Sequence, residues 1–257
     1  MIEHPSVAAR QVERSFASSD GTTIRYWEYL PEGYAGGIGT YPLLVFFHGA
    51  GESGPADGSR LDAVKLHGPP RHIEAGHDMC FDTPGGRECF IVVSPQNSRG
   101  WWDPRDTAGM LGHALAAYRV DPTRVYVTGM SMGGAATWRL ATSTRPGTGT
   151  YWAQDIAAIA PVCGAADSRN SHAGISKGIV ATGLPVWAFH GDQDTTVDAA
   201  TSQAWVDKIN AQAGNPSARL TLYPGVGHDS WTRTYDPARE VEPGRNLYQW
   251  LLAHRRP

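Results

Sequence analysis

The sequence is poor in the features that mark several protein classes. Three cysteines in 257 residues are too few for a disulfide-scaffolded mini-protein. No window approaches the length of a membrane-spanning apolar run, so no membrane span is expected. Neither charge is in excess, with 22 basic residues against 25 acidic ones for a net −3. That balance argues against nucleic acid as a main partner and against a large single-sign field. The start, Met1–Arg14, carries Glu3, His4, Arg10, Glu13 and Arg14 and lacks the apolar core of a secretory signal. A cytoplasmic protein is expected if that start is native, and a secreted one if a leader was removed. Internal repeats, heptads and low-complexity linkers are also missing, so a single domain over residues 1–257 is expected. Glycine (30) and proline (18) are plentiful. With 41% apolar residues, they read as tight turns between buried strands rather than as disorder.

The apolar residues come in short runs. Thr22–Tyr29 alternates and is rich in aromatic and β-branched residues, which predicts a strand. Pro42–Phe47, "PLLVFF", is nearly all apolar, as a strand covered on both faces reads. Phe90–Ser94, Arg124–Thr128, Ile156–Val162, Pro185–Phe189 and Arg219–Tyr223 repeat the pattern. Helical stretches fall between or after them, at Asp106–Tyr118, Met132–Ser143, Ala199–Ala213 and Arg245–Ala253. Strands alternating with helices predict parallel pairing through right-handed crossovers. The Ala50–Glu88 stretch fits poorly. It is expected to be a long Gly- and Pro-rich loop at the active-site face, with a helical turn or two near Leu61–Lys65. It shows no long amphipathic helix, which argues against a membrane-activated lid.

Gly129-Met130-Ser131-Met132-Gly133 matches G-x-S-x-G. Alone the match is weak. Its setting strengthens it, because "RVYVTGMSMGGAATWRLA" reads as buried strand, sharp turn and helix. Ser131 then sits on the turn as a candidate nucleophile, and the flanking glycines let strand and helix approach. The alternative is an inert serine on an ordinary Gly-rich turn.

A serine nucleophile needs a base in reach. Among ten histidines, His228 in "YPGVGHDSW" lies just after the last predicted strand, where the carboxyl ends of parallel strands converge. His254 sits beside Arg255 and Arg256 and reads as surface. His67, His72 and His77 share no chelating spacing, and no metal or other cofactor is expected. The acid should follow another strand end, and "VWAFHGDQDTTV" offers Asp192 and Asp194. Asp194 is preferred because it lies farther out from the strand. Asp198 is the more distant alternative for the acid, though it reads as the cap of the next helix. The oxyanion formed on attack needs backbone N–H donors. Met132 supplies one candidate amide, and Ala50 the other, with Gly51 as its alternative; His48 and Glu52 brace their loop. Trp101, Trp102, Trp231 and Glu52 are candidate pocket residues, although the tryptophans could equally pack loops, and Trp187 reads as core. Cys80 and Cys89 have a spacing that permits a bridge without establishing one. Cys163 reads as a small buried hydrophobe.

These residues together resemble the α/β-hydrolase serine esterases. The likeness is strongest to the bacterial group called "predicted peptidases", related to phospholipase/carboxylesterases and feruloyl-type esterases. It is carried by "VFFHGAGESG", "LHGPPRHI", "IVVSPQNSRGWW", "DPTRVYVTGMSMGGAATW", "PVWAFHGDQDTTV" and "YPGVGHDSW", between Pro42 and Trp231. It weakens at "SRNSHAGISKG", where a short catalytic-face segment is expected.

The resemblance implies an α/β fold: a three-layer sandwich around a mostly parallel, roughly eight-stranded sheet, with Val12–Ser18 and Thr22–Tyr29 pairing antiparallel. It implies Ser131, Asp194 and His228 as nucleophile, acid and base, with the amides of Ala50 and Met132 as oxyanion donors. The implied activity is ester hydrolysis, and the resemblance says little about the substrate; the tryptophans and the missing lid helix favour short-chain or aromatic esters, feruloyl, acetyl or polyester, free or polymer-attached. A serine peptidase or amidase would use the same triad. A non-catalytic hydrolase-fold binding protein would not label at Ser131. A dienelactone-type hydrolase calls for a cysteine nucleophile, and no cysteine occupies the turn.

Overall fold

In the computed structural model, residues 10–165, 176–213 and 218–256 are described. His4 and residues 168–175 of "SRNSHAGISKG" lie outside them. The apolar runs form one eight-stranded sheet. Its members are β1 (Val12–Ala17), β2 (Thr23–Tyr29), β3 (Tyr41–Phe47), β6 (Ile91–Pro95), β7 (Val120–Met130), β8 (Ala158–Val162), β9 (Val186–Gly191) and β10 (Ala218–Tyr223). Two further short strands, β4 (Cys80–Thr83) and β5 (Gly86–Cys89), make a separate antiparallel hairpin. The sheet order is β1-β2-β6-β3-β7-β8-β9-β10. β2 pairs antiparallel with both β1 and β6, and the remaining neighbours are parallel.

Among the described residues, seven α-helices accompany the sheet: α1 (Gly68–Glu74), α2 (Pro104–Ala117), α3 (Met132–Thr142), α4 (Ser176–Thr182), α5 (Ala200–Ala213), α6 (Trp231–Thr234) and α7 (Leu247–Leu252). Strand alternation sorts the core into two layers. On β3, Leu43, Val45 and Phe47 face one core with Met110 and Leu111 of α2, Trp138 of α3 and Trp205 of α5. Leu44 and Phe46 face the other, with Ile73 of α1 and Tyr248 and Leu251 of α7. The result is a three-layer sandwich with the α/β-hydrolase architecture.

Three elements differ from the sequence reading. The Ala50–Glu88 stretch is more regular than a loop. It holds 3-10 turns at Ala50–Glu52 and Leu61–Leu66, helix α1 and the β4–β5 hairpin. Pro69 and Pro70 sit in the first turn of α1, where no intrahelical donor is lost, so there they start a helix. The hairpin is closed by a Cys80–Cys89 disulfide, and these residues are also register partners. β7 begins earlier than expected because Val120 already pairs with Tyr41, before a register shift that absorbs three extra residues within Asp121–Arg124.

Candidate active site

The turn between β7 and α3 consists of one residue. Ser131 has φ 52° and ψ −115°, a left-handed conformation that side chains disfavour by about 1–3 kcal/mol. Neighbours hold it there. Its N–H donates to Val162 O at 2.9 Å, and its carbonyl accepts from the amides of Ala135 and Ala165, both at 3.1 Å. The glycines are required by space. A Cβ on Gly133 would fall on the Phe47 carbonyl, and one on Gly129 would strike the Gly133 carbonyl. At Gly134 it would lie 2.6 Å from Val162 O. The strand, the helix and β3 therefore meet closely behind the serine hydroxyl.

His228 follows β10 and reaches back over the sheet edge. Its Nε2 lies 2.9 Å from Ser131 Oγ, and its Nδ1 2.7 Å from Asp194 Oδ2. Asp194 lies three residues past the end of β9. Its Oδ1 accepts the amides of Thr196 (2.8 Å) and Val197 (2.9 Å), so the carboxylate is fixed from both sides. Burial pushes the Asp194 carboxyl up. The hydrogen bond from His228 and those from the Val197 and Thr196 amides outweigh it and hold the pKa below the ordinary range. The other acids are engaged elsewhere. Asp192 accepts the Gly225 amide at 2.7 Å, and Asp198 accepts that of Ala200 at the start of α5. A second histidine, His190, also touches Asp194, with Nε2 3.1 Å from Oδ2. The sequence reading did not single it out, because it lies inside an apolar strand.

The loop after β3 passes beside the serine. The position of a Cβ on Gly49 would be 3.6 Å from Ser131 Cβ. Next to it His48 is fully buried, and that burial pushes its pKa down to about 4. The ring is therefore neutral, with its tautomer set by its partners: Nε2 accepts the Asn97 amide at 2.9 Å, so Nδ1 carries the proton and donates to Gly49 O at 2.5 Å. A trans peptide puts its carbonyl and N–H on opposite edges. Pinning the Gly49 carbonyl to His48 thus turns the Ala50 N–H to the other side. The Met132 amide opens α3, at the helix end that favours negative charge.

Residues 105–250, more than half of the chain, match the model of the dienelactone hydrolase family. The chain belongs to this family. The lack of a cysteine at the turn did not exclude it, since membership rests on the whole matched segment. Here the turn carries Ser131, and Cys163 is buried at the end of β8. A bifunctional acetylxylan esterase/xylanase of Neocallimastix patriciarum is 26% identical over 178 residues, 66% of this chain and 22% of that protein. Feruloyl esterase B of Neurospora crassa is 30% identical over 125 residues, 46% of this chain and 39% of that protein. The chain thus spans well under half the length of these curated relatives. The crystal structure of a thermostable esterase superposes with a TM-score of 0.68 at 25% identity, covering 96% of this chain and 63% of that one.

Around the site of this dienelactone hydrolase family member, the candidate pocket residues separate. Trp231 follows His228 by three positions, and the two rings meet edge to face at 5.2 Å. The His67 ring also packs edge-on against Trp231, at 5.5 Å. Glu52 is buried behind Gly49, with Oε1 3.7 Å from His67 Nε2. Burial raises its pKa against the opposing pull of His67 and the nearby amides. Trp101 is 46% exposed. Its neighbour Trp102 points the opposite way. It is buried against Phe47 and His48, donates Nε1–H to His48 O at 3.1 Å, and supports the loop from behind instead of lining an open surface. Among the described residues, no group of three or more His, Cys, Asp or Glu side chains is arranged to hold a metal ion. Nor is any helix among them long and apolar enough to cross a membrane.

Proposed function

We propose that this chain is a serine carboxylesterase that works through a Ser131–His228–Asp194 triad and a covalent acyl-enzyme. The observation that carries the proposal is the continuous hydrogen-bonded line from Ser131 Oγ through the His228 ring to Asp194 Oδ2, at 2.9 and 2.7 Å. In the reaction, Ser131 Oγ bonds to the ester carbonyl carbon while its proton passes to His228 Nε2. Asp194 keeps the proton on Nδ1 and stabilises the imidazolium. The carbonyl oxygen becomes an oxyanion between the amides of Ala50 and Met132. The C–O bond to the alcohol then breaks, and the alcohol leaves with the proton from Nε2. Water repeats the sequence on the acyl-enzyme, releasing the acid and restoring Ser131.

Short acyl groups and flat aromatic ones are the proposed substrates. Trp231 beside the base and the exposed Trp101 offer flat apolar surfaces. The likeness to an acetylxylan esterase and to a feruloyl esterase favours acetyl and feruloyl esters, free or polymer-attached. The test is a panel of p-nitrophenyl acetate, butyrate and palmitate with methyl ferulate, an acetylated sugar and a peptide p-nitroanilide. Acetate or butyrate is expected to exceed palmitate, the anilide to be the poorest, and every rate to vanish in Ser131→Ala. Unchanged ester hydrolysis in that variant would overturn the mechanism.

A further inference from the structure

The acid of the triad is held by a second imidazole that the reaction above does not use. His190 is the penultimate residue of β9 and is fully buried. Its Nε2 lies 3.1 Å from Asp194 Oδ2 and 2.9 Å from Val197 O. Both are acceptors, so Nε2 carries a proton and shares it between them. Across the ring, Nδ1 lies 2.7 Å from the hydroxyl of Ser202, a fully buried residue of α5 that donates there. Asp194 Oδ2 thus receives two ring N–H groups, from His228 and from His190, while Oδ1 receives two amides.

We propose that His190 is a positioning residue, which fixes the direction of the Asp194 carboxylate and limits how strongly it stabilises the charged form of His228. The inference rests on the triad reading. His228 and two amides already hold both oxygens, and His190 adds a second donor to Oδ2 from another direction, which stiffens the carboxylate further. The hydrogen bond from His190 also draws on the electron density that Oδ2 offers to His228. Without it, the carboxylate becomes looser, which slows turnover, and more basic, which favours imidazolium. The acid limb of the pH profile then moves to higher pH. A merely structural role would lower the amount of folded enzyme and leave the limb in place. His228 contacts the pair across the site; the Cys163 thiol, pushed up to about 12 by burial, feels both Asp194 and Asp229, and Asp192 and Asp198 flank Asp194 along its loop. The carboxylates of Asp192, Asp198 and Asp229 each accept an amide in their own turn or from the adjoining loop.

The experiment measures kcat/KM and kcat against pH for p-nitrophenyl acetate in wild type, His190→Phe, His190→Asn and His190→Gln. Rates are normalised to sites titrated with a fluorophosphonate, so unfolded protein does not count. Phe removes the N–H. The shorter Asn reaches Ser202 but not Asp194, and serves if the Phe variant does not fold. Gln returns an amide N–H near the Nε2 position. For Phe and Asn, kcat is expected to fall about tenfold with KM little changed, and the acid limb to rise by about half a pH unit. Gln is expected to bring the limb back and recover part of kcat. Wild-type limbs in Phe and Asn, or a Gln variant shifted as far as they are, would overturn the inference. Activity surviving in Ser131→Ala would instead overturn the triad reading itself, so the two failures are distinguishable.

Discussion

His48 ties stability to pH in a way that can be worked out in advance. Its ring has no solvent contact and is spent on two backbone partners, the Asn97 amide and the Gly49 carbonyl. Protonating Nε2 would break the first bond and bury a charge, which is why the pKa falls from 6.5 to about 4. In the unfolded chain the ring takes its proton near the ordinary value. As pH drops below that value, the unfolded state binds a proton that the native state refuses. The stabilisation is therefore complete above the ordinary value and drains away until the native pKa is reached. A depression of this size corresponds to about 3 kcal/mol in all, of which about 2 kcal/mol is lost between roughly pH 7 and roughly pH 5. The assay is urea unfolding at those two pH values, followed by tryptophan fluorescence, in wild type and His48→Asn. Asparagine retains a donor for Gly49 O and does not titrate. Raised carboxyls such as Glu52 and Asp106 act in the opposite direction and cancel in the comparison. The stability advantage of wild type should shrink by about 2 kcal/mol at the lower pH. Parallel pH dependence in the two proteins would refute the reasoning.

Three further outcomes follow from the geometry. Gly133→Ala should destabilise by about 3 kcal/mol or prevent folding, because the new methyl falls on the Phe47 carbonyl; thermal unfolding near the wild-type midpoint would contradict this. Asp194→Asn should reduce kcat by about 10⁴-fold with KM little changed, since an amide cannot hold the His228 tautomer as a carboxylate does. The double variant Cys80→Ser, Cys89→Ser should lose about 2–3 kcal/mol in urea unfolding, as expected for a short closed loop, with kcat unchanged because the β4–β5 hairpin carries no site residue.

Legibility followed the range of the interactions. β3 could be read because both its faces are buried, which leaves a continuous apolar run. The turn at Ser131 could be read because its glycines are imposed locally, by carbonyls of adjoining strands. The β4–β5 hairpin could not, because its four-residue strands show no clear alternation and the Cys80–Cys89 spacing allows other pairings. Helix α1 was hidden by Pro69 and Pro70, which signal a loop unless they fall in a first helical turn. Trp101 and Trp102 are adjacent and alike in sequence. Only packing against Phe47 and His48 decides that the second turns inward. His190 was invisible for a similar reason. In "VWAFHG" it reads as one polar residue in a strand, and its meaning comes from Asp194 and from Ser202, twelve positions on.

The central claim is that the hydroxyl of Ser131 is the attacking group. The most direct measurement is fluorophosphonate modification followed by peptide mass spectrometry, with His228→Gln alongside. One equivalent of label should appear on the tryptic peptide Val125–Arg139, at Ser131, with loss of ester hydrolysis in step, and the His228 variant should label far more slowly. Label on another residue, or full ester hydrolysis after Ser131 has been modified, would contradict the account.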